Sequence, residues 1–305
     1  MSCKKVILLI DGENILHQSF HKFENLKSTD GRPSGAIFGF FKSLHMYVHR
    51  FNPYKLIISF DNGRSKYRKE IWPTYKENRH RNIAIDWESF HKQKREIMRM
   101  LRLLKINYIF DKDRVSNYEG DDFLAYMYLT TKKTGNYKYI LISSDKDFNQ
   151  LIAKDFKIYH PRKEVIVSTK TCKKYFGYNP SETVEYLSMV GDTSDNIPGM
   201  RGLGPVKTRK LLDTYGTVDE AIRVQALGNK TGLLKSVWHR NKQLIDIRDF
   251  IEKHPLSNIE YVLYNYKNKG LRVKRFNKIC ITYSLSSFLT NEFLKPFKKL
   301  TNEKA

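Results

Sequence analysis

Three short apolar runs in this chain each lead to an aspartate, and that arrangement limits the possible folds more than any other feature. Lys5–Ile10 runs into Asp11, Leu56–Phe60 into Asp61, and Tyr139–Ser143 is followed by Asp145 and Asp147. Runs of this length suit strands better than helices. Tyr108–Phe110 and Phe156–Tyr159 read as two more strands. Gly35–Arg50, Trp87–Leu104 and Asp121–Thr131 read as helices between them. In the second of these, Phe90, Ile97, Leu101 and Leu104 recur at helical spacing. Alternating strands and helices predict an α/β fold, a mostly parallel central sheet flanked by helices on both faces. After about Lys170 the pattern becomes mostly helical, with Thr183–Val190, Pro205–Tyr215, Val218–Val224 and Asn241–Glu252 as the best helices. A soft boundary near residue 180 divides an α/β core (1–180) from a mostly helical region (181–305). The tail from Tyr261 to Lys299 is basic and aromatic without a clear period; its stretch around Tyr261–Lys278 could bind DNA, dock a partner or close the core, the last being the role expected of its apolar residues.

Ligands of open α/β sheets gather beyond the carboxyl ends of the strands, so Asp11, Asp61, Asp145 and Asp147 are expected at one edge. Glu119, Asp121 and Asp122 sit at a helix start in Tyr118-Glu-Gly-Asp-Asp. Each acid alone has a structural explanation, because Asp caps helices and acids favour helix N-termini. Their convergence is harder to explain that way, since clustered carboxylates repel unless cations neutralise them. Oxygen ligands without His or Cys suit Mg²⁺ or Mn²⁺. Two such ions together can drive phosphodiester hydrolysis.

Charge points to the same substrate. Lys and Arg number 55 against 32 Asp and Glu, a formal net charge of +23. A field of that sign attracts polyanions, and nucleic acid is the expected partner. No stretch approaches the 18 apolar residues of a membrane span, and the charged start does not read as a signal peptide. Cys3, Cys172 and Cys280 are far apart and form no CxxC pair, so neither a disulfide framework nor a zinc site is expected.

The second region carries Met189-Val-Gly-Asp-Thr-Ser-Asp-Asn-Ile-Pro-Gly, in which Asp192 and Asp195 lie near a turn. Gly202 and Gly204 then permit a tight hairpin, and Pro205 suits the first turn of a helix. That helix start, with Lys207, Arg209 and Lys210 beside it, predicts a phosphate clamp indifferent to base sequence.

These blocks resemble the 5′ nuclease family of flap endonucleases and the 5′-nuclease domains of bacterial DNA polymerases, the phage enzymes most of all. They are Ile10-Asp-Gly-Glu-Asn, Phe60-Asp-Asn, Tyr75-Lys-Glu-Asn-Arg, Tyr118-Glu-Gly-Asp-Asp, Ser144-Asp-Lys-Asp-Phe, and Gly191-Asp-Thr-Ser-Asp-Asn-Ile-Pro-Gly through Leu212. They keep the family's order from residue 5 to about 215. The resemblance implies a PIN-like, resolvase-like core. Asp11, Asp61, Glu119, Asp121 and Asp145 would surround one metal. Asp147, Asp192 and Asp195 would complete the second side, with Asp122 and Asp147 shared or set further out. Residues 191–215 resemble the family's helix–three-turn–helix, which binds duplex DNA and often K⁺. Residues from about 65 to 85 match a helical arch for the 5′ single strand. Its Lys66, Tyr67, Arg68, Lys69, Trp72, Tyr75 and Arg81 would pair phosphates and stack bases. Lys76 and Arg79 match active-site cations expected on the scissile phosphate.

The implied activity is 5′→3′ exonuclease and flap endonuclease action with two Mg²⁺, on DNA and on RNA primers paired to DNA. The protein would be a monomer in bacterial or phage-infected cytoplasm, acting alone or beside replication proteins. Gly120, where relatives often have Ala, reads as a harmless departure, and Lys146 would lean over the site or face solvent. A PIN-like ribonuclease and a non-catalytic module for branched DNA are the competing readings.

Overall fold

A computed structural model describes residues 4–80, 86–112, 117–256, 259, 263–264 and 270–302. The chain runs through β1 (Lys5–Asp11), α1 (Gly12–Lys22), α2 (Gly35–Phe51), β2 (Lys55–Ser59), α3 (Lys66–Ile71), α4 (Trp87–Leu103), β3 (Asn107–Ile109), α5 (Gly120–Thr131) and β4 (Tyr137–Ile142). It continues through β5 (Phe156–His160), β6 (Val165–Val167), α6 (Cys172–Phe176), α7 (Thr183–Val190), β7 (Gly191–Asp192), β8 (Ile197–Pro198), α8 (Pro205–Tyr215) and α9 (Val218–Arg223). The last elements are α10 (Thr231–Ile245), α11 (Ile247–Lys253), β9 (Leu263–Tyr264), α12 (Val273–Thr282) and α13 (Asn291–Asn302).

The main sheet has the order β6-β5-β4-β1-β2-β3-β9. β1 to β5 are parallel, and β6 and β9 add antiparallel edges. β1 lies between β4 and β2, so helices cover both of its faces and Leu8, Leu9 and Ile10 are fully buried. That burial is why it reads as an unbroken apolar run rather than an alternating one. The register pairs Asp11 with Ser59 and Ile10 with Ile142. The chain therefore leaves β2, β1 and β4 at nearly the same level, and Asp61 and Asp145 follow within a few residues of the strand ends.

Apolar residues of α2 and α4 pack one face of the sheet. α12 and α13 return to that face through Phe276, Ile279, Phe293 and Phe297. The opposite face is closed by α5 and α11, and a separate core holds α7, α8, α9 and α10 around Trp238. Leu271, Val273 and Phe276 pack onto the core as expected of that stretch, and α13 carries a helical stripe of Phe293, Leu294 and Phe297 that the overall basic composition concealed.

Sequence pattern and structure part in several places, three of which redirect the chain near the sheet. The helix expected over Asn241–Glu252 is two helices, because Asp246 is extended and its carboxylate accepts from Asp249 N–H, starting α11 afresh. α1 was not anticipated; Asp11 ends β1 and caps this helix by accepting from Asn14 N–H at 2.9 Å. β9 is the third. Its pairing with β3 brings the second region back to the sheet edge. Cys172 and Cys280 are buried and free, and Cys3 lies outside the described residues. Among the described residues no helix is long and apolar enough to cross a membrane.

Candidate active site

The ends of β4, β1 and β2 open into a cleft of 560 Å³. Asp11, Asp61, Asp121, Asp145 and Lys76 line it, together with Glu13, His17, Trp87 and Arg162. Asp11 is held from two sides, by Asn14 N–H and by the Ser143 hydroxyl, which donates at 2.8 Å from the end of β4. Asp61 accepts from Gly120 N–H at 2.6 Å, locking the β2 loop to the first turn of α5. A Cβ on residue 120 would lie 2.7 Å from the same carboxylate oxygen, so an alanine there would require the Asp61 side chain to shift. Asp145 accepts from Asp147 N–H at 2.9 Å and donates its own N–H to the Ser143 hydroxyl oxygen.

Glu119 lies beneath this layer, 3% exposed. It accepts from Ser65 N–H, the Tyr75 hydroxyl at 2.9 Å, Lys76 Nζ at 2.8 Å and Arg68 Nη1 at 3.2 Å. Burial opposes its ionisation, but Lys76 and Arg68 outweigh that and hold its pKa down to about 2. Lys76 also stands 3.7 Å from Asp195, and both charges keep it protonated despite its burial. Its φ is +55°, a conformation uncommon outside glycine. On the helical side, Asp192 accepts from the backbone and hydroxyl of Ser194 and pairs with Lys146 Nζ at 3.3 Å. Lys146 therefore leans over the acids and joins the core to the β7–β8 hairpin.

The remaining carboxylates are under mutual strain. Burial, with Asp61 and Asp145 nearby, raises the Asp11 pKa to about 8. Burial raises Asp121 to about 6 despite Lys76 and Arg68. Asp147 is pushed well up by burial and by Asp145, Asp192 and Asp195, and its buried Oδ1 has no hydrogen-bond partner. Such a group takes up protons or cations to relieve the repulsion. As they stand, no three His, Cys, Asp or Glu side chains among the described residues form a tight metal cage.

Several expected roles change. Asp122 is fully buried and held by Arg68 through both oxygens, at 2.6 and 2.7 Å, so it faces away from the cleft. Arg68 is 2% exposed and also donates to Leu244 O, which removes it from the candidate DNA contacts. Tyr75 is buried with its hydroxyl on Glu119 and Asp195, and Tyr67 packs on Phe250 and His254, so neither ring is presented for base stacking. Trp72 donates to Asn196 O and lies under Arg240. In this stretch the aromatics hold the segment in place, because Asn78 and Lys76 N–H bond to Thr193 O and Asp195 O as well. Lys66 and Lys69 remain exposed. Arg81 and the Arg79 side chain lie outside the described residues.

In the hairpin, Gly202 takes φ +88° and Gly204 precedes Pro205 at the start of α8. Lys207 and Lys210 are exposed beside Val206, itself 82% exposed. Arg209 instead pairs with Glu182 and Asp213 and is not available to phosphate. Sequence reading missed Lys94, which is 8% exposed and donates to Glu13 at 2.6 Å and to the Asp61 carbonyl at 2.7 Å. The signal was present, since a lysine interrupts the apolar stripe between Phe90 and Ile97.

An acidic cleft at the strand ends of a resolvase-like sheet, with a basic glycine hairpin joined to it, defines a nuclease of the α/β class. The family model for the 5′-3′ exonuclease N-terminal resolvase-like domain matches residues 6–177, and that for the 5′-3′ exonuclease C-terminal SAM fold matches residues 178–267. The 5′-3′ exonuclease of Buchnera aphidicola from Acyrthosiphon pisum is 28% identical over 86% of this chain and 84% of its own length. The thermostable DNA polymerase I of Thermus aquaticus is 31% identical over 71% of this chain but only 25% of its own length. A bacteriophage T5 flap endonuclease, solved with DNA and metal ions, shares the fold at TM-score 0.67 and 15% identity, covering 98% of this chain and 100% of that one. The catalytic core of Rad2 with DNA substrate aligns at TM-score 0.57 and 16% identity, covering 96% and 93%. The chain belongs to the 5′-3′ exonuclease family.

Proposed function

We propose that this 5′ nuclease recognises the junction between duplex and 5′ single strand in DNA and hydrolyses a phosphodiester beside it, as an exonuclease at a 5′ end and as an endonuclease on a flap. The observation that carries this reading is the delivery of Asp11, Asp61, Asp121 and Asp145 from separate elements into one cleft that also holds Lys76. Hard carboxylate oxygens, several with raised pKa, and the unpartnered Asp147 Oδ1 suit two Mg²⁺, for which Mn²⁺ can substitute. Asp11, Asp61, Asp121 and Asp145 would hold one ion, and Asp147, Asp192 and Asp195 the side toward the hairpin. When bound, the ions would supply a nucleophilic water and neutralise charge on the phosphate.

The protein's own groups do the rest. Glu119 keeps Lys76 charged and fixed at the cleft wall, where its ammonium can stabilise the phosphate as negative charge develops. Gly120 and Ser143 fix the rotamers of Asp61 and Asp11. Lys207, Lys210 and the start of α8 hold duplex phosphates without reading bases. K⁺ at that hairpin, RNA–DNA hybrids as substrates, a monomeric state and a place beside replication proteins belong to the same proposal.

Asp145→Ala combined with Asp147→Ala tests it. Hydrolysis of flap DNA in Mg²⁺ should fall by at least a hundredfold while flap binding persists. Full activity in the double variant would remove the proposed metal site. Faster cleavage of single-stranded RNA than of flap DNA would favour a ribonuclease instead.

A further inference from the structure

Lys76 and Lys146 both face the carboxylates, and they are held very differently. Lys76 is 5% exposed, donates to Glu119 at 2.8 Å and gives its backbone N–H to Asp195 O. Lys146 stands between Asp145 and Asp147 in the chain and reaches toward the β7–β8 hairpin. Its backbone is fixed, since its carbonyl accepts from Asn149 N–H. Its side chain is 35% exposed and, among the described residues, ion-pairs with Asp192 alone, at 3.3 Å. Asp192 is immobile by contrast. It lies in β7, paired with β8, and its Oδ1 takes both the backbone N–H and the hydroxyl of Ser194. Its Oδ2 meets Lys146 and no other group among the described residues. The same ammonium bears on Asp147, whose burial and acidic neighbours push its carboxyl up, and offsets that repulsion in part. Asp147 Oδ1 is buried without a hydrogen-bond partner.

Buried like charges need a counter-charge close by. Lys76 supplies one from the buried side, through Glu119 and Asp195, and Lys146 supplies a second from the solvent side, through Asp192. A lysine ammonium is a compact charge on a flexible stem, and a partly exposed ion pair stabilises little by itself. Lys146 can therefore leave Asp192 for solvent at small cost, whereas Lys76 cannot. We propose that Lys146 is a displaceable counter-cation. It neutralises Asp192 and its neighbours in the metal-free protein and leaves Asp192 when a divalent ion is taken up on that side. The inference rests on the two-ion reading of the cleft. Its consequence is that the two sides differ by construction. The hydrogen bonds to Asp11 and Asp61 come from Asn14, Ser143 and Gly120, so no lysine has to move there. On the hairpin side uptake competes with Lys146. That side is the weaker one, and it sets the Mg²⁺ concentration that full activity needs.

Calorimetric titration of the full chain with Mn²⁺, without DNA, tests this with no turnover. The native chain should bind Mn²⁺ in two classes, one tight and one weak. Lys146→Met keeps the stem and removes the charge. It should tighten the weak class about tenfold and leave the tight class within about twofold. Lys146→Arg keeps the charge and should leave both classes as in the native chain. Thermal melts should move the other way. In EDTA Lys146→Met should melt about 2 °C below the native chain, and the gap should close in excess Mn²⁺. Those opposite signs separate a competing charge from a strut, because a strut lost between core and hairpin would weaken ion binding and stability together. An unchanged weak class in folded Lys146→Met overturns the proposal while the two-ion reading stands. So does a loss of about tenfold in flap binding in EDTA with unchanged Mn²⁺ affinity, which would make Lys146 a DNA contact. If the native chain takes up fewer than two Mn²⁺, the two-ion reading itself fails and the proposal falls with it.

Discussion

Replacing Arg68 with methionine should destabilise the protein severely while sparing its direct hold on DNA. The guanidinium is 2% exposed and donates four hydrogen bonds, two to Asp122, one to Glu119 and one to Leu244 O. It also lies 4.6 Å from the ring centre of Phe250. Methionine keeps most of the packing and none of the charge. Asp122 would retain only Glu119 N–H as a donor, at 0% exposure. Three bonds to carboxylates, at about 1.5–3 kcal/mol each, set a ceiling of roughly 5–9 kcal/mol. Protonation of Asp122 offers partial relief, so the loss should be about 3–5 kcal/mol, the usual result of removing one partner from a buried ion pair. Urea unfolding reads this directly. Adding Asp122→Asn should restore about half of it, giving a coupling of roughly 2 kcal/mol. At temperatures where the variant is folded, the salt slope of flap binding should match that of the native chain. A stability loss under about 1 kcal/mol together with a slope reduced by about one would show that Arg68 is a solvated DNA contact, and would refute the burial argument.

Other predictions follow from the same geometry. Gly120→Ala places a methyl 2.7 Å from Asp61 Oδ1, so kcat should fall and half-saturating Mg²⁺ should rise, each about tenfold, with the thermal midpoint nearly unchanged. Lys94→Met leaves Glu13 and the Asp61 carbonyl without their buried donor and should cost about 2–3 kcal/mol in urea unfolding, with a loss of activity that Lys94→Arg partly rescues. Without divalent metal, stability should fall with rising pH. Asp11 and Asp121, raised to about 8 and about 6 from an ordinary 3.8, bind more protons folded than unfolded. Their contribution is complete below about pH 4 and is lost as pH rises through 6 and then 8. Denaturation in EDTA at pH 5, 7 and 8.5 checks the sign, and Mg²⁺ should restore most stability at the highest pH.

The core of this fold was legible because its signals are local. Strands buried on both faces read as unbroken apolar runs, and a helix such as α4 carries its stripe openly. Glycine and proline around residue 204 marked the start of α8. The acids were legible too, because chain direction in a parallel sheet puts strand ends at one edge. What stayed hidden depends on partners distant in sequence. Nothing near Arg68 indicates that Asp122, 54 residues on, will take its charge. A basic aromatic segment looks the same whether Trp72 meets a base or Asn196 O. The place of Lys94 in the apolar stripe of α4 marked it as buried, but its partners, Glu13 and Asp61, come from α1 and the loop after β2 and could not be read locally. The break at Asp246 depends on one capping bond inside an otherwise continuous helical pattern.

The most direct test of the central claim is cleavage of a 5′-labelled flap duplex in Mg²⁺ and in EDTA. Release of a short labelled oligonucleotide cut near the junction, in Mg²⁺ and not in EDTA, is the predicted result. A flap that is bound yet uncut in both Mg²⁺ and Mn²⁺ would contradict it, leaving a structure-selective DNA-binding protein whose acidic cleft does no hydrolysis.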